Sequence, residues 1–226
     1  MSPPSGSGAA PALILASASP RRAQLLAQIG VSYHAVPAAL DERREPGEPI
    51  ERCVLRLAEQ KALQVRCARR TSLPVLGADT AVLLDEEMLG KPADRAAALS
   101  MLARLSGRSH RVLTAVALAG ADGVRSLLSQ SEVRLRRLSA TECAAYWDSG
   151  EPRDKAGAYA IQGLGAVFVE ELHGSYSGVV GLPLFETATL LAEAGVPLWQ
   201  PVRTRPGRGA AAHRPAPDRR PIRRRE

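Results

Sequence analysis

Residues 12–30 read ALILASASPRRAQLLAQIG. The run Ala12 to Ala16 is short, apolar and uncharged, which predicts a buried strand. Ser19-Pro20 then predicts a helix start. The serine hydroxyl caps the helix, and proline sits in the first turn, where its missing N–H costs nothing. The helix is expected to run through Ile29 and to stop at Gly30. A buried strand turning directly into a helix is the repeating unit of α/β proteins.

The same alternation continues outward. Tyr33 to Val36 reads as a short strand and Asp41 to Glu48 as a charged loop. A long helix is expected from Pro49 to about Arg70, stopped by Leu73-Pro74. Val75 to Ala78 is another buried strand, followed by a hairpin through Asp85-Glu86-Glu87. Asp94 caps a helix to Leu105. Val112 to Leu118 and Val124 to Leu138 are strands joined at Asp122-Gly123, a hairpin signal. Ser139 to Asp148 is a helix with Glu142 completing a capping box. Val167 to Glu171 is a strand, Val179 to Pro183 reads as a strand running into a helix start, and Leu182 to Ala194 is the last helix. Hairpins impose antiparallel pairs on this alternation. The expected fold is therefore α/β, a mixed β-sheet with flanking helices.

The formal net charge of +7 is unevenly spread. Residues 201–226 hold nine arginines against Asp218 and Glu226, which accounts for the whole excess. The remainder is neutral. Three segments are expected: a disordered N-terminus over 1–11, one folded domain over 12–200, and a disordered Arg/Pro-rich tail over 201–226. The tail offers nucleic acid only a weak, salt-sensitive attraction. No apolar run approaches the ~20 residues of a membrane helix, and Met1 to Pro11, without a basic start or a long apolar stretch, is not expected to be a secretory signal. Cys53, Cys67 and Cys143 form no CxxC, so free thiols in a reducing cytoplasm are expected.

Only three of the thirty basic residues are lysines: Lys61, Lys91 and Lys155. Where arginine serves for nearly every positive charge, these mark places that need a compact ammonium. Lys61 falls within the apolar stripe Ile50, Val54, Leu57, Val65, Ala68 of its helix, so it must pair with an acid or face a ligand. Ser19, Arg21 and Arg22 stand at a helix N-terminus, where free N–H groups and partial positive charge suit a phosphate. Asp79 closes a buried strand in GADT, and a carboxylate there suits a divalent cation or a water to be deprotonated. Gly90-Lys91-Pro92 is not a Walker loop, because Asp85 and Pro92 occupy positions needing Gly and Ser/Thr. Asp154-Lys155 and Gln162 flank a glycine-containing loop, and the Gln162 amide could read a base edge. No HExxH, GxSxG or GxGxxG element is present.

SASPRR at 17–22, Asp41-Glu42, Lys61 in AEQKA, GADT at 77–80, GKP at 90–92, DKAGAYAIQG at 154–163 and VVGLP at 179–183 together resemble the Maf family over residues 12 to about 195. The resemblance implies two lobes around a nucleotide cleft and hydrolysis of nucleoside triphosphates to the monophosphate and pyrophosphate. It also implies a divalent cation, Mg²⁺ or Mn²⁺, and commonly a homodimer. By position, Asp79 matches the proposed proton acceptor, with Glu42 and Lys61 beside it, and Glu42 and Asp79 would hold the metal. Arg21, Thr80 and Gln162 match positions linked to substrate choice, and Lys91, Asp154 and Lys155 match other site residues. Thr80, Asp154-Lys155 and Gln162 resemble the branch acting on dTTP and UTP. The alternatives are the 7-methyl-GTP branch and a nucleotide-binding regulator of cell division with hydrolysis secondary. With Glu42 as the partner of Lys61, Lys61→Met is expected to keep or raise stability.

Overall fold

The computed structural model describes residues 10–200. The expected disordered segments at 201–226 and over most of 1–11 lie outside the described residues.

The opening stretch folds as read. β1 (Leu13–Leu15) runs into α1 (Pro20–Gln28), whose Arg22 N–H is capped by the Ser19 side chain. Gly30, at φ +69°, ends the helix in the left-handed region that glycine tolerates. β2 (Tyr33–Ala35) lies parallel to β1. α2 (Ile50–Arg69) buries Ile50, Val54, Leu57, Ala58, Ala62 and Val65 on one face. Then follow β3 (Val75–Leu84), β4 (Glu87–Leu89) and α3 (Arg95–Leu105), the last capped by Asp94. β5 (Ser109–Gly120) and β6 (Gly123–Leu135) form a long hairpin, and α4 (Ala140–Asp148) starts on the expected Ser139–Glu142 capping box. Three short 3-10 turns, Glu151–Asp154, Ala156–Ala158 and Leu164–Phe168, lead to β7 (Val169–His173), α5 (Tyr176–Val180) and α6 (Leu184–Glu193).

The sheet order is β2-β1-β3-β5-β6-β7, with β4 also on β3. β1 pairs in parallel with β2 and β3, and every other pairing is antiparallel. The sheet is mixed, as expected. α2 covers one face through Ala58 against Ala81, Leu83, Leu113, Ala115 and Ala117. The larger core fills the other face, with Leu76, Ala78, Val82 and Val116 meeting Leu25, Leu102, Val180 and Leu190.

Two readings are corrected. β3 does not end at Ala78 but runs on to Leu84, so Asp79 is mid-strand rather than at a strand end. Val179-Val180 is not a strand: it closes the short helix α5, capped by Ser175 and stopped by Gly181 at φ +126°. The Ser175 cap outweighs the extended preference of the two valines.

Candidate active site

Among the described residues, β3 has no strand neighbour along part of one edge, and the site opens there. β5 pairs with β3 from Val75 to Leu83. On the opposite edge β1 reaches only Leu76, and β4 begins only at Val82. Residues Gly77 to Ala81 thus have a free edge, and a cleft of about 370 Å³ lies along it. Ser19, Arg21, Arg22, Glu42, Lys61, Asp79, Thr80, Lys91, Asp154, Lys155 and Gln162 all line this one cleft. Successive side chains on β3 point to opposite faces, so Asp79 and Thr80 present two different surfaces to it.

The Asp79 face is ionic. Gly77 allows α2 to lie against β3: a Cβ there would sit 2.2 Å from the Ala58 carbonyl oxygen and 2.8 Å from the Ala62 nitrogen. That close approach brings Lys61, buried at 7% exposure, onto the strand. Its Nζ lies 2.6 Å from Asp79 Oδ1 and 2.7 Å from Glu42 Oε1. Burial pushes the Asp79 carboxyl above its ordinary value despite the opposing charges of Lys61 and Arg22. Burial also acts upward on Glu42, but the Lys61 hydrogen bond and charge, with Lys91 and Arg22, outweigh it and hold that carboxyl low. The second partner revises the stability expected of Lys61→Met. Methionine would leave buried Asp79 without its contacting cation and facing Glu42, so the single change should destabilise.

The Thr80 face is a neutral hydrogen-bond web around Arg22. Arg22 Nε donates to the Gly181 carbonyl at 2.8 Å, and Nη1 donates to the Ala78 carbonyl at 2.8 Å and to Ser17 Oγ at 3.4 Å. Its Nη2 donates to Thr80 Oγ1 at 3.2 Å. Arg22, expected with Ser19 and Arg21 to suit a phosphate, lines the cleft with its guanidinium hydrogen-bonded to the protein. Thr114 Oγ1, on β5, is 3.1 Å from Thr80 Oγ1 and donates to the Gly178 carbonyl at 2.7 Å.

The far wall carries the remaining cations. Arg21 pairs with Asp154 at 3.6 Å, and Asp154 also pairs with Lys155, whose Nζ donates to the Glu151 carbonyl at 3.2 Å. Lys91 and Gln162 are exposed along the cleft. The sequence reading missed what holds this wall. Glu151 accepts the Leu164 and Gly165 N–H groups and the Tyr146 hydroxyl, and Tyr146 accepts the Ala160 N–H. Glu151 stands just ahead of the DKAG stretch, the one local signal for it. Below the cleft, His110 Nε2 bonds the Tyr159 hydroxyl at 2.8 Å, and burial pushes its imidazole down to about 4. Thr114 and His110 lie inside a continuous strand and carry no motif signal.

A family model described as Maf-like protein matches residues 12–194. The chain belongs to the Maf family. Curated relatives are similar across almost their whole length. A protein of Methylobacillus flagellatus named dTTP/UTP pyrophosphatase is 54% identical over 186 residues, 81% of this chain and 93% of the relative. One of the same name from Hahella chejuensis is 50% identical over 189 residues, 83% of this chain and 94% of the relative. Among solved structures, a nucleoside-triphosphatase / dITP/XTP pyrophosphatase from Mycobacterium abscessus aligns with 56% of this chain and 75% of its own, at 17% identity and TM-score 0.36.

In this Maf cleft the donors for a divalent cation are carboxylate oxygens. Among the described residues no group of three or more His, Cys, Asp or Glu side chains gathers as a cation cage. Glu42 and Asp79 already share one cation, the Lys61 ammonium, which shows that both carboxylates converge on one point. Two hard oxygen donors fit Mg²⁺ or Mn²⁺ that completes its shell with phosphate oxygens and water.

Proposed function

We propose that this Maf protein hydrolyses dTTP and UTP to the monophosphate and pyrophosphate. The observation that carries the reading is the Glu42–Lys61–Asp79 cluster, three charged side chains from a loop, a helix and a strand converging in a cleft that also carries Arg21, Lys91 and Lys155. The names of relatives at 50% identity and above support the substrate.

A nucleoside triphosphate carries about −4 charge, so the protein's work is positioning and charge neutralisation. Arg21, Lys91 and Lys155 meet the phosphate chain, and Ser19 marks the α1 N-terminus, whose free N–H groups face phosphate. Asp79, with its carboxyl raised by burial, is suited to accept a proton. A water oxygen bonds to the α-phosphorus, its proton passes to Asp79, and the bond from the α-phosphorus to the bridging oxygen breaks, releasing pyrophosphate. Lys61 stabilises the charge that builds on the α-phosphate. Glu42 and Asp79 would hold Mg²⁺ or Mn²⁺, which when bound polarises the α-phosphate. Gln162 and Thr80 read the base, and Asp154 keeps Arg21 and Lys155 aligned. Among the described residues no helix is long and apolar enough to cross a membrane. A cytoplasmic homodimer completes the reading, and light scattering of the purified protein tests the dimer.

The test is a screen of nucleoside triphosphates with Mg²⁺ or Mn²⁺, scoring pyrophosphate against orthophosphate. Pyrophosphate release highest on dTTP and UTP is expected. Tight nucleotide binding without turnover, or release of orthophosphate, overturns the reading.

A further inference from the structure

The hydroxyl of Thr80 has a fixed hydrogen-bond direction, and Thr114 fixes it. A hydroxyl carries one proton and two acceptor positions. Thr114 is buried at 1% exposure, and its Oγ1 lies 2.7 Å from the Gly178 carbonyl oxygen. A carbonyl can only accept, so the single Thr114 proton goes there. With that proton committed to the shorter carbonyl contact, the 3.1 Å contact between the two threonine hydroxyls falls to the Thr80 proton. On its other side Thr80 Oγ1 accepts from Arg22 Nη2 at 3.2 Å, and a guanidinium can only donate. Thr80 has therefore spent its proton and one acceptor position. What it has left for the cleft is one lone pair.

We infer that Thr114 is a positioning residue for base selection: by drawing off the Thr80 proton toward Gly178, it makes Thr80 an obligate acceptor, which favours a pyrimidine with an N–H at ring position 3 over one with a bare nitrogen. Uracil and thymine carry that N–H. Cytosine presents a lone pair there, which would meet the Thr80 lone pair. This rests on the reading that Thr80 faces the base. Thr114 itself touches no ligand: it is sealed beneath Thr80 by Gly178 and β5. The same wiring holds the acceptor rigid, because Arg22 is itself tied to the Ala78 and Gly181 carbonyls.

The experiment measures kcat/KM on UTP and CTP for the full chain and for Thr80→Val, Thr114→Val and Thr114→Ser, with thermal melting of each. Loss of a correctly directed hydrogen bond changes such a ratio roughly tenfold. Thr114→Val frees the Thr80 proton to point into the cleft, so the UTP/CTP ratio should fall about tenfold, mostly through KM. Thr114→Ser keeps the hydroxyl and should restore the ratio. A purely structural role would lower both substrates together and leave the ratio alone. If valine is not tolerated, Thr114→Ala removes the same hydroxyl and reads the same ratio. Should Thr80→Val leave the UTP/CTP ratio unchanged, Thr80 does not face the base, and the reading beneath the inference fails. Should Thr80→Val shift the ratio while the Thr114 variants do not, the inference alone is overturned.

Discussion

Two cationic side chains meet the cleft from opposite faces of β3, under opposite conditions. Lys61 sits between two carboxylates, one largely buried and one half-exposed. Arg22 is spent on two carbonyls and two hydroxyls. A cation held by charges can be redirected by a more highly charged ligand, since a phosphate competes directly with a carboxylate. A cation held by neutral acceptors gains little by moving and would leave buried carbonyls unpaired. The ionic face is thus built to respond and the neutral face to stay put. Chemistry belongs on the first, shape and recognition on the second.

The sharpest way to break this contrast is Asp79→Asn. Asparagine keeps the shape but cannot take up a proton, so pyrophosphate release should fall about a thousandfold while the melting temperature changes little. An active Asp79→Asn protein would move the chemistry off the ionic face.

Next comes Lys61→Met. It should cost about a hundredfold in kcat and about 2–4 kcal/mol of stability, because Asp79 loses its contacting cation. Adding Asp79→Asn to Lys61→Met should recover most of that stability without recovering activity. Calorimetry of the two single variants and the double variant measures the coupling, and full additivity would mean that the pair is not energetically linked.

The neutral side has its own titrating group, His110, so pH distinguishes the faces. Its imidazole is held near 4 in the fold, against an ordinary value of about 6.5. Between these values the unfolded chain takes up a proton that the folded chain refuses. Stability contributed by the neutral imidazole is therefore complete above about pH 6.5 and lost as pH falls toward 4, by roughly 3 kcal/mol in all. Melting temperatures recorded from pH 7 to 4.5 should slope downward, and His110→Gln should flatten the slope. An equal slope in the variant would assign the acid sensitivity elsewhere.

The smallest effect is expected from removing residues 201–226. The cleft residues named above all lie before Pro201, so truncation after Gln200 should leave kcat/KM on dTTP within about twofold. A folded truncation that has lost most of its activity would mean that the tail acts on the site.

The ionic face was largely legible in the sequence. Lys61 interrupts an apolar stripe of 3.6-residue period, and its need for an acid follows from the cost of burial. The neutral face was not. Arg22 reads locally as a phosphate-facing arginine at a helix start, and the carbonyls it binds lie 56 and 159 residues away. The extent of β3 was missed for a related reason. A carboxylate inside an apolar run normally ends a strand, but here the free edge and Lys61 let the strand continue through it. Val179-Val180 misled because paired valines favour extended backbone, whereas the Ser175 cap and Gly181 set a single helical turn.

The free edge of β3 carries the liability of any exposed strand edge. A strand with no neighbour is a template on which another chain can lay itself, and long, flat, apolar edges drive aggregation. Here the opening spans only Gly77 to Ala81, closed off by β1 on one side and β4 on the other. Arg22 already occupies the Ala78 carbonyl, and charged Asp79 and Lys61 stand beside the gap. The features that invite a nucleotide also turn away a stray β-strand, so the protein can keep a broken sheet open in solution without becoming sticky.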